Sequence, residues 1–300
     1  MTRPGSLACI FLLASGVSVF AEEAVPAHAK DLIGAWKNTA KEEEIRFEPH
    51  RLAVHAEGML MFLRVRYEEG GKFSYRVEAK WYAVTWTIKD KTLTIVDGED
   101  TKTYARLDGV PPGLELQPLA MGKSAPLPTE KVSSIQMELA DRVAKDQAVR
   151  TDPARAGEMD KVDRENTDWL KKLVLDSGWV DVTRFGQDTS NAAFLIVQHS
   201  GDLPLMVGAL PEIERDLKAG LLRDGQAYAL LYDRTRLFTG EKQRYGTQVT
   251  TEGDKLIVLP IESKAKVDEY RKEIGVFPLS EYLDIFKQQT GAKTVEFIED

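Results

Sequence analysis

The sequence predicts an α+β protein, an N-terminal antiparallel β-barrel followed by a mainly helical domain with one β-hairpin. Three observations carry that prediction. Residues 31–118 alternate apolar and polar side chains in short runs, the pattern of strands with one wet face. Residues 119–128, PLAMGKSAPLP with the preceding proline, break every periodicity and read as a proline-containing linker. From Thr129 onward the apolar spacing changes to threes and fours, the period of helices buried on one side.

Ahead of the barrel, Arg3 precedes an apolar run from Leu7 to Phe20, and Val19-Phe20-Ala21 stands before Glu22-Glu23. That is the layout of a secretory signal peptide over residues 1–21, so the mature chain is expected to begin near Glu22. The run is too short to cross a hydrocarbon core about 30 Å thick, so no integral membrane segment is expected after signal removal. A periplasmic or secreted location follows. Leu7-Ala8-Cys9 echoes a lipoprotein box, but its cysteine precedes the apolar run where a lipidated one would follow it. Cys9 is the only cysteine and leaves with the signal, which removes disulfides, thiolate chemistry and cysteine-ligated metals from the mature chain.

The 300 residues are 43% hydrophobic and 29% charged, ordinary globular material sufficient for two modest domains. The net charge is −8 and becomes −9 once Arg3 is lost. Such a balance offers neither the positive footprint of a nucleic-acid binder nor the basic segments drawn to anionic membranes.

In the barrel region, strands are expected at 43–48, 60–67, 73–77, 81–88, 93–96 and 102–107. Leu63, Val65 and Tyr67 share one face while Arg64 and Arg66 share the other. The turns Glu69-Gly70-Gly71, Lys89-Asp90-Lys91 and Asp97-Gly98-Glu99 are short enough for a meander, and closing the sheet would remove its edges. Leu32-Ile33-Gly34-Ala35-Trp36 resembles the L-x-G-x-W opening of lipocalin-like barrels, in which the tryptophan plugs one end. That resemblance implies a small apolar ligand inside the barrel. A span of about 85 residues is short for an eight-stranded cup, however, which favours a filled barrel docked on its neighbour.

In residues 129–290 a first helix, capped by Thr129, carries Val132, Ile135, Leu139 and Val143 and stops before Thr151-Asp152-Pro153. A second runs from about Gly157 to Asp176 and ends at Gly178. Ser190 is expected to cap a third helix through Gln198, Asp202 a fourth closed by Gly220, and Asp224 a fifth ending at Gly240. A hairpin over 243–261 turns at Thr251-Glu252-Gly253-Asp254, and helices over 263–274 and 279–289 complete the domain.

The common catalytic signatures are missing: there is no P-loop, G-x-G-x-x-G, H-E-x-x-H, G-x-S-x-G or paired C-x-x-C. No cofactor is therefore called for. Ser263-Lys264-Ala265-Lys266 fits S-x-x-K, a pattern too short to carry a reaction without its partner motifs. The histidines at 28, 50, 55 and 199 are scattered, with His50 and His55 placed either side of a turn, and no metal site is expected from them.

One cluster invites chemistry. His199-Ser200-Gly201-Asp202 sets an imidazole and a carboxylate either side of a helix break, where Asp202 could orient His199 as a general base. The bland explanation is equally physical: a histidine suits a helix C-terminus, and Asp202 before Leu203-Pro204 is a good N-cap. Further on, the ribbon Lys242-Gln243-Arg244-Tyr245-Gly246-Thr247-Gln248 has no aliphatic side chain. As a strand it would put Gln243, Tyr245 and Thr247 on one face and Arg244, Gly246 and Gln248 on the other. Glycine inside a strand marks a bulge or a close approach to the backbone. With Arg234 two helical turns upstream, Gln243, Tyr245 and Gln248 form a candidate wall of hydrogen-bonding groups for a polar ligand, or else a buried polar network.

Asp146-Gln147-x-x-Arg150, Gly178-Trp179, His199-x-x-Asp202, Asp233-Arg234, Gly240-x-x-Gln243-x-Tyr245-Gly246-Thr247-Gln248 and Val267-Asp268-x-x-Arg271 follow one another in that order. Through them the C-terminal half, roughly residues 131–285, resembles an uncharacterised bacterial domain family. The resemblance implies a mainly helical fold with one hairpin, and polar positions that gather in space. It implies no activity.

Three functions are consistent with these residues. The first is a binding module for a small polar ligand or peptide through Arg234, Gln243, Tyr245 and Gln248. The second is an extracytoplasmic hydrolase or transferase using His199 and Asp202. The third is a structural or interaction protein whose ribbon locks the helices and whose barrel meets a protein partner.

Overall fold

The computed structural model describes residues 25–77 and 79–299. The expected signal segment over residues 1–21, Cys9 within it and the expected mature start at Glu22 lie outside the described residues.

Eight antiparallel strands close into an up-and-down barrel: β1 (Gly34–Asn38), β2 (Glu43–Phe47), β3 (Arg51–Ala56), β4 (Met59–Glu68), β5 (Lys72–Val77), β6 (Lys80–Lys89), β7 (Thr92–Asp97) and β8 (Asp100–Arg106). β1 closes on β8, with Trp36 opposite Arg106 and Asn38 opposite Tyr104. Length proves no obstacle, because the connections are so short. Glu57-Gly58 and Asp90-Lys91 each hold positive φ at both positions, the two-residue turn whose twist matches that of the strands. The strands β1 and β3 are the additions to the sequence reading. His50 precedes β3 and His55 lies within it, so the two flank no common turn.

Trp36 is fully buried, donates its indole N–H to the Leu32 carbonyl (2.9 Å) and lies under the Arg106 guanidinium, 4.8 Å from the ring centroid. Phe47 and Phe73 meet edge to face behind it. Toward the other end the barrel keeps a cavity of about 260 Å³ beside Glu43, Lys102 and Tyr104. The barrel is therefore filled at one end and hollow at the other, where the sequence favoured filling throughout.

The proline-containing segment does not swing free. Leu114 is wholly buried among Ala35, Ala53 and Phe62 of the barrel and Leu203 of the helical domain. Beyond it, Leu119 N–H donates to the Pro204 carbonyl and Gly122 N–H to that of Val174, both at 2.8 Å. A Cβ added at Gly122 would lie 2.2 Å from the Leu175 carbonyl oxygen, so only glycine lets this strap approach so closely.

The helical domain comprises α1 (Thr129–Thr151), α2 (Met159–Ser177), α3 (Val182–Phe185), α4 (Gln187–His199), α5 (Leu203–Lys218) and α6 (Gln226–Phe238), then β9 (Val249–Glu252), β10 (Lys255–Val258), α7 (Val267–Glu273), α8 (Leu279–Thr290) and β11 (Thr294–Phe297). Leu139, Leu170, Val174, Trp179, Val197 and Leu205 anchor its main core. Local capping differs from the sequence reading at three helices, α6 among them, where Gly225 and not Asp224 holds the cap position. Thr129 is the first residue of α1 after Pro128 and makes no capping bond, and Ser190 sits inside α4, which begins after Gly186. Asp202 does cap α5, its Oδ1 accepting from Leu205 N–H at 2.9 Å. The hairpin is shorter than expected, starting at Val249, and gains β11 as a parallel third strand on β10.

The domains meet where Phe62 of β4 makes a β-bridge with Thr239, just past α6. Among the described residues no helix is long and apolar enough to cross a membrane.

Candidate functional site

The ribbon 242–248 is not a strand. It winds around the carboxylate of Asp233, which α6 carries on its buried face one turn after Ala229. Asp233 is fully buried; its Oδ1 accepts from the N–H groups of Arg244 (2.8 Å) and Tyr245 (3.0 Å). Its Oδ2 accepts from the N–H and the hydroxyl of Thr247, both at 2.9 Å. Burial pushes this carboxyl above its ordinary value while the four donors pull against that.

Gln243 is equally enclosed. Its amide donates to the carbonyls of Gln248 (3.0 Å) and Leu259 (2.7 Å) and accepts from Gln248 N–H (2.8 Å). The ring of Tyr245 packs with Tyr228 and Tyr232, and its carbonyl accepts from the buried Arg271 at 2.6 Å. Gly246 has φ +70°, and an added Cβ would lie 2.8 Å from Leu279 Cδ1. What approaches the glycine closely is thus α8. The ribbon is a polar lock whose donors and acceptors are largely consumed internally, and Gln243 and Tyr245 do not stand in a common wall with Arg234.

A second polar centre forms beside it. His199, in the last turn of α4, places Nδ1 3.0 and 3.1 Å from the two carboxylate oxygens of Asp146 on α1. Asp146 is 2% exposed and also accepts from Gln147 (2.8 Å) and from Arg150 Nε (3.0 Å). Burial pushes its carboxyl up, but the His199 and Gln147 hydrogen bonds and the charge of Arg150 more than offset that and hold it below its ordinary value. Arg150 pairs in turn with Asp163, whose carboxyl burial and the neighbouring Asp146 push up. Asp202 takes no part in orienting His199. Its oxygens are occupied by the cap to Leu205 and by Lys171 Nζ at 2.6 Å, because the sharp turn at Gly201 directs it toward α5 and α2.

Arg234, next to Asp233 but on the other side of α6, donates Nη1 to the Gln198 carbonyl at 2.9 Å. With the Gln198 amide turned so that oxygen faces the guanidinium, that oxygen also accepts from Nε (2.9 Å) and Nη2 (3.2 Å). No carboxylate contacts Arg234 among the described residues. Burial first, and then the like charge of Arg150, hold its guanidinium below the ordinary value. Arg234 and Gln248 line a cavity of about 530 Å³ between the domains, which Arg64 and Arg76 of the barrel line from the opposite side.

Of the residues read from the sequence, Arg234 and Gln248 thus share a cavity, His199 belongs to the neighbouring centre, Gln243 and Tyr245 belong to the lock, and Asp202 to a helix start. Asp146 was visible in the motif order but not as the partner of a histidine 53 residues away. The signal for it is that Asp146 continues the Ile135, Leu139, Val143 stripe, so a charge occupies a position that the helix buries. No group of three or more His, Cys, Asp or Glu side chains suited to a metal ion occurs among the described residues.

Fold and site together define a closed eight-stranded antiparallel barrel followed by a mainly helical region built around polar centres. By residues 133–295 the chain belongs to DUF6624, a family of unknown function. No curated protein and no solved structure matches it.

Proposed function

We propose that the protein is an exported binder of a small anionic ligand, held in the cavity between the barrel and the helical domain. The observation that carries this is the setting of Arg234. A largely desolvated guanidinium, held by amide oxygens and close to a second cation, gains most from an anion arriving in the cavity it lines. Gln248 supplies an amide at the same wall. Export rests on the signal-like residues 1–21, and an exported chain recovered with Glu22 as its first residue is the corresponding check.

Thermal unfolding of the full two-domain chain in phosphate, acetate or decanoate, at matched ionic strength, tests the binding. At least one anion is expected to raise the wild-type midpoint, adding about 2.7 kcal/mol of stability at a hundredfold excess over its dissociation constant, and to do less in Arg234→Gln. If every anion acts equally on both proteins, the reading fails.

The Asp146–His199 pair favours a second reading, an acid–base centre. With Nδ1–H donated to the carboxylate, Nε2 carries the lone pair, the arrangement of an oriented general base. On a panel of esters, amides and phosphoesters, turnover is expected to fall about 100-fold or more in His199→Gln and Asp146→Asn and to persist in Asp202→Asn. Absence of turnover across the panel, or equal loss in Asp202→Asn, counts against a catalytic role.

A further inference from the structure

The small sheet of the helical domain keeps an open edge at the cavity that Arg234 lines. Its strand order is β11-β10-β9, so β9 is paired on one side only. Leu259 N–H donates to the Gln248 carbonyl at 3.2 Å, while Ile298 N–H reaches the Val258 carbonyl at 3.1 Å from the other side of β10. Hydrogen-bonded pairs alternate along an antiparallel ladder, so Gln248 and Thr250 turn their main chain toward β10, and Val249 and Thr251 turn theirs away from it. Among the described residues no group outside the ladder bonds to the main chain of Val249 or Thr251. Such a bare edge is a template for another strand.

The edge is also placed to read direction. Gln248, Val249 and Thr250 line the cavity together with Arg234. Val249 packs its side chain on the core around Leu256 and Val258, so it is the main chain of Val249 that borders the cavity. Gln248 Nε2 donates to the Leu230 carbonyl (3.3 Å), one helical turn before Arg234, which sets the beginning of β9 beside the guanidinium. The other end of β9 is drawn to the barrel, where Glu252 pairs with Lys80 at 3.4 Å. A chain added antiparallel to β9 therefore runs from the Glu252 end toward Arg234 and finishes there on its carboxylate. A parallel chain would bring an ammonium to the same cation.

Resting on the anion-binding reading above, we infer that the anion is the carboxyl terminus of an extended peptide, which adds to β9 as an antiparallel strand. Main-chain hydrogen bonds to Val249 and Thr251 supply affinity that tolerates many sequences, and the terminal carboxylate meets Arg234. Leu60, Leu237 and Phe238 line the same cavity and suit an apolar last side chain. The volume of about 530 Å³ falls in the range of small-molecule sites, enough for the end of a chain and not for a folded partner.

Titration calorimetry of the full chain with the N-acetylated tetrapeptide Ala-Val-Ala-Leu, its C-terminal carboxamide and inorganic phosphate tests the assignment. The free acid is expected to bind, and the carboxamide to bind at least about tenfold more weakly for want of the charge. Arg234→Gln is expected to weaken the acid and phosphate alike. Thr251→Pro removes an outward N–H at an exposed edge position, where proline is tolerated. It is expected to weaken the acid about tenfold and to leave phosphate unchanged. Should Thr251→Pro fail to fold, the fully N-methylated peptide, titrated into wild type, decides by the same loss. An acid that does not bind, that binds no better than its carboxamide, or that is indifferent to Thr251→Pro or to methylation overturns the peptide terminus. If phosphate then still binds and depends on Arg234, the anion reading stands without it, and if neither binds, both fall together.

Discussion

Replacing Asp233 by alanine is expected to lower the unfolding midpoint of the helical domain by about 10 °C, from a loss of about 4 kcal/mol. The carboxylate accepts four hydrogen bonds, three from backbone N–H groups of the 242–248 ribbon, and is wholly shielded from water. Alanine leaves those donors buried without acceptors, and each such orphan costs roughly 1–3 kcal/mol. The ribbon cannot simply move out to water, because Gly246 is packed on Leu279 and the Tyr245 carbonyl is held by Arg271. Asp233→Asn should fall between alanine and wild type, since an amide oxygen can retain part of the set while its NH2 faces donors. Circular dichroism melts of the three proteins make the measurement, and an alanine variant within about 2 °C of wild type would show that the ribbon is held by something other than this carboxylate.

The second large effect is expected in the barrel. Trp36→Ala removes a fully buried indole together with its hydrogen bond to Leu32 and its contact with Arg106, and aromatic-to-alanine changes of this kind cost about 3–5 kcal/mol. A barrel of this size has total stability of the same order, at roughly 0.05–0.15 kcal/mol per residue. It is therefore expected to lose its cooperative transition while the helical domain, whose core is separate, retains its own. Differential scanning calorimetry separates the two outcomes. A variant with the wild-type trace would mean that the neighbouring apolar side chains, Phe47 and Phe73 among them, suffice to hold the barrel closed.

These predictions also mark what the sequence made legible. The barrel was readable from two-residue periodicity, yet β3 was hidden because Arg51 and His55 interrupt an otherwise apolar run and look like a turn. The helices were readable from Ile135, Leu139 and their counterparts, and Gly178 and Asp202 end and begin helices as their chemistry suggests. The ribbon was misassigned as a strand for a physical reason. Alternation is a property of regular backbone, and a segment wrapped around a single carboxylate has no period to show. Its fixed points are set by Asp233, nine residues before Lys242, a pairing that propensity cannot express.

The polar centres were legible only in part. His199 could be singled out, but not its partner on α1, since helix packing rather than sequence proximity brings Asp146 to it. Arg64 read with Arg66 as the wet face of a sheet, and became a cavity residue only because Phe62 and Thr239 dock the barrel against α6. A site divided between two domains has no local signature in either.

The strap from Leu114 to Gly122 has a consequence for how the two halves can move. A loose proline linker would let the barrel sample many orientations, so that a ligand touching both halves would first have to collect them, at an entropic cost. Here the connecting chain is stitched to α5 and α2 and buried at Leu114, leaving little slack between the domains. The barrel is held at a set angle, like a cap on a short hinge pin, and both walls of the shared cavity are in place before anything enters it.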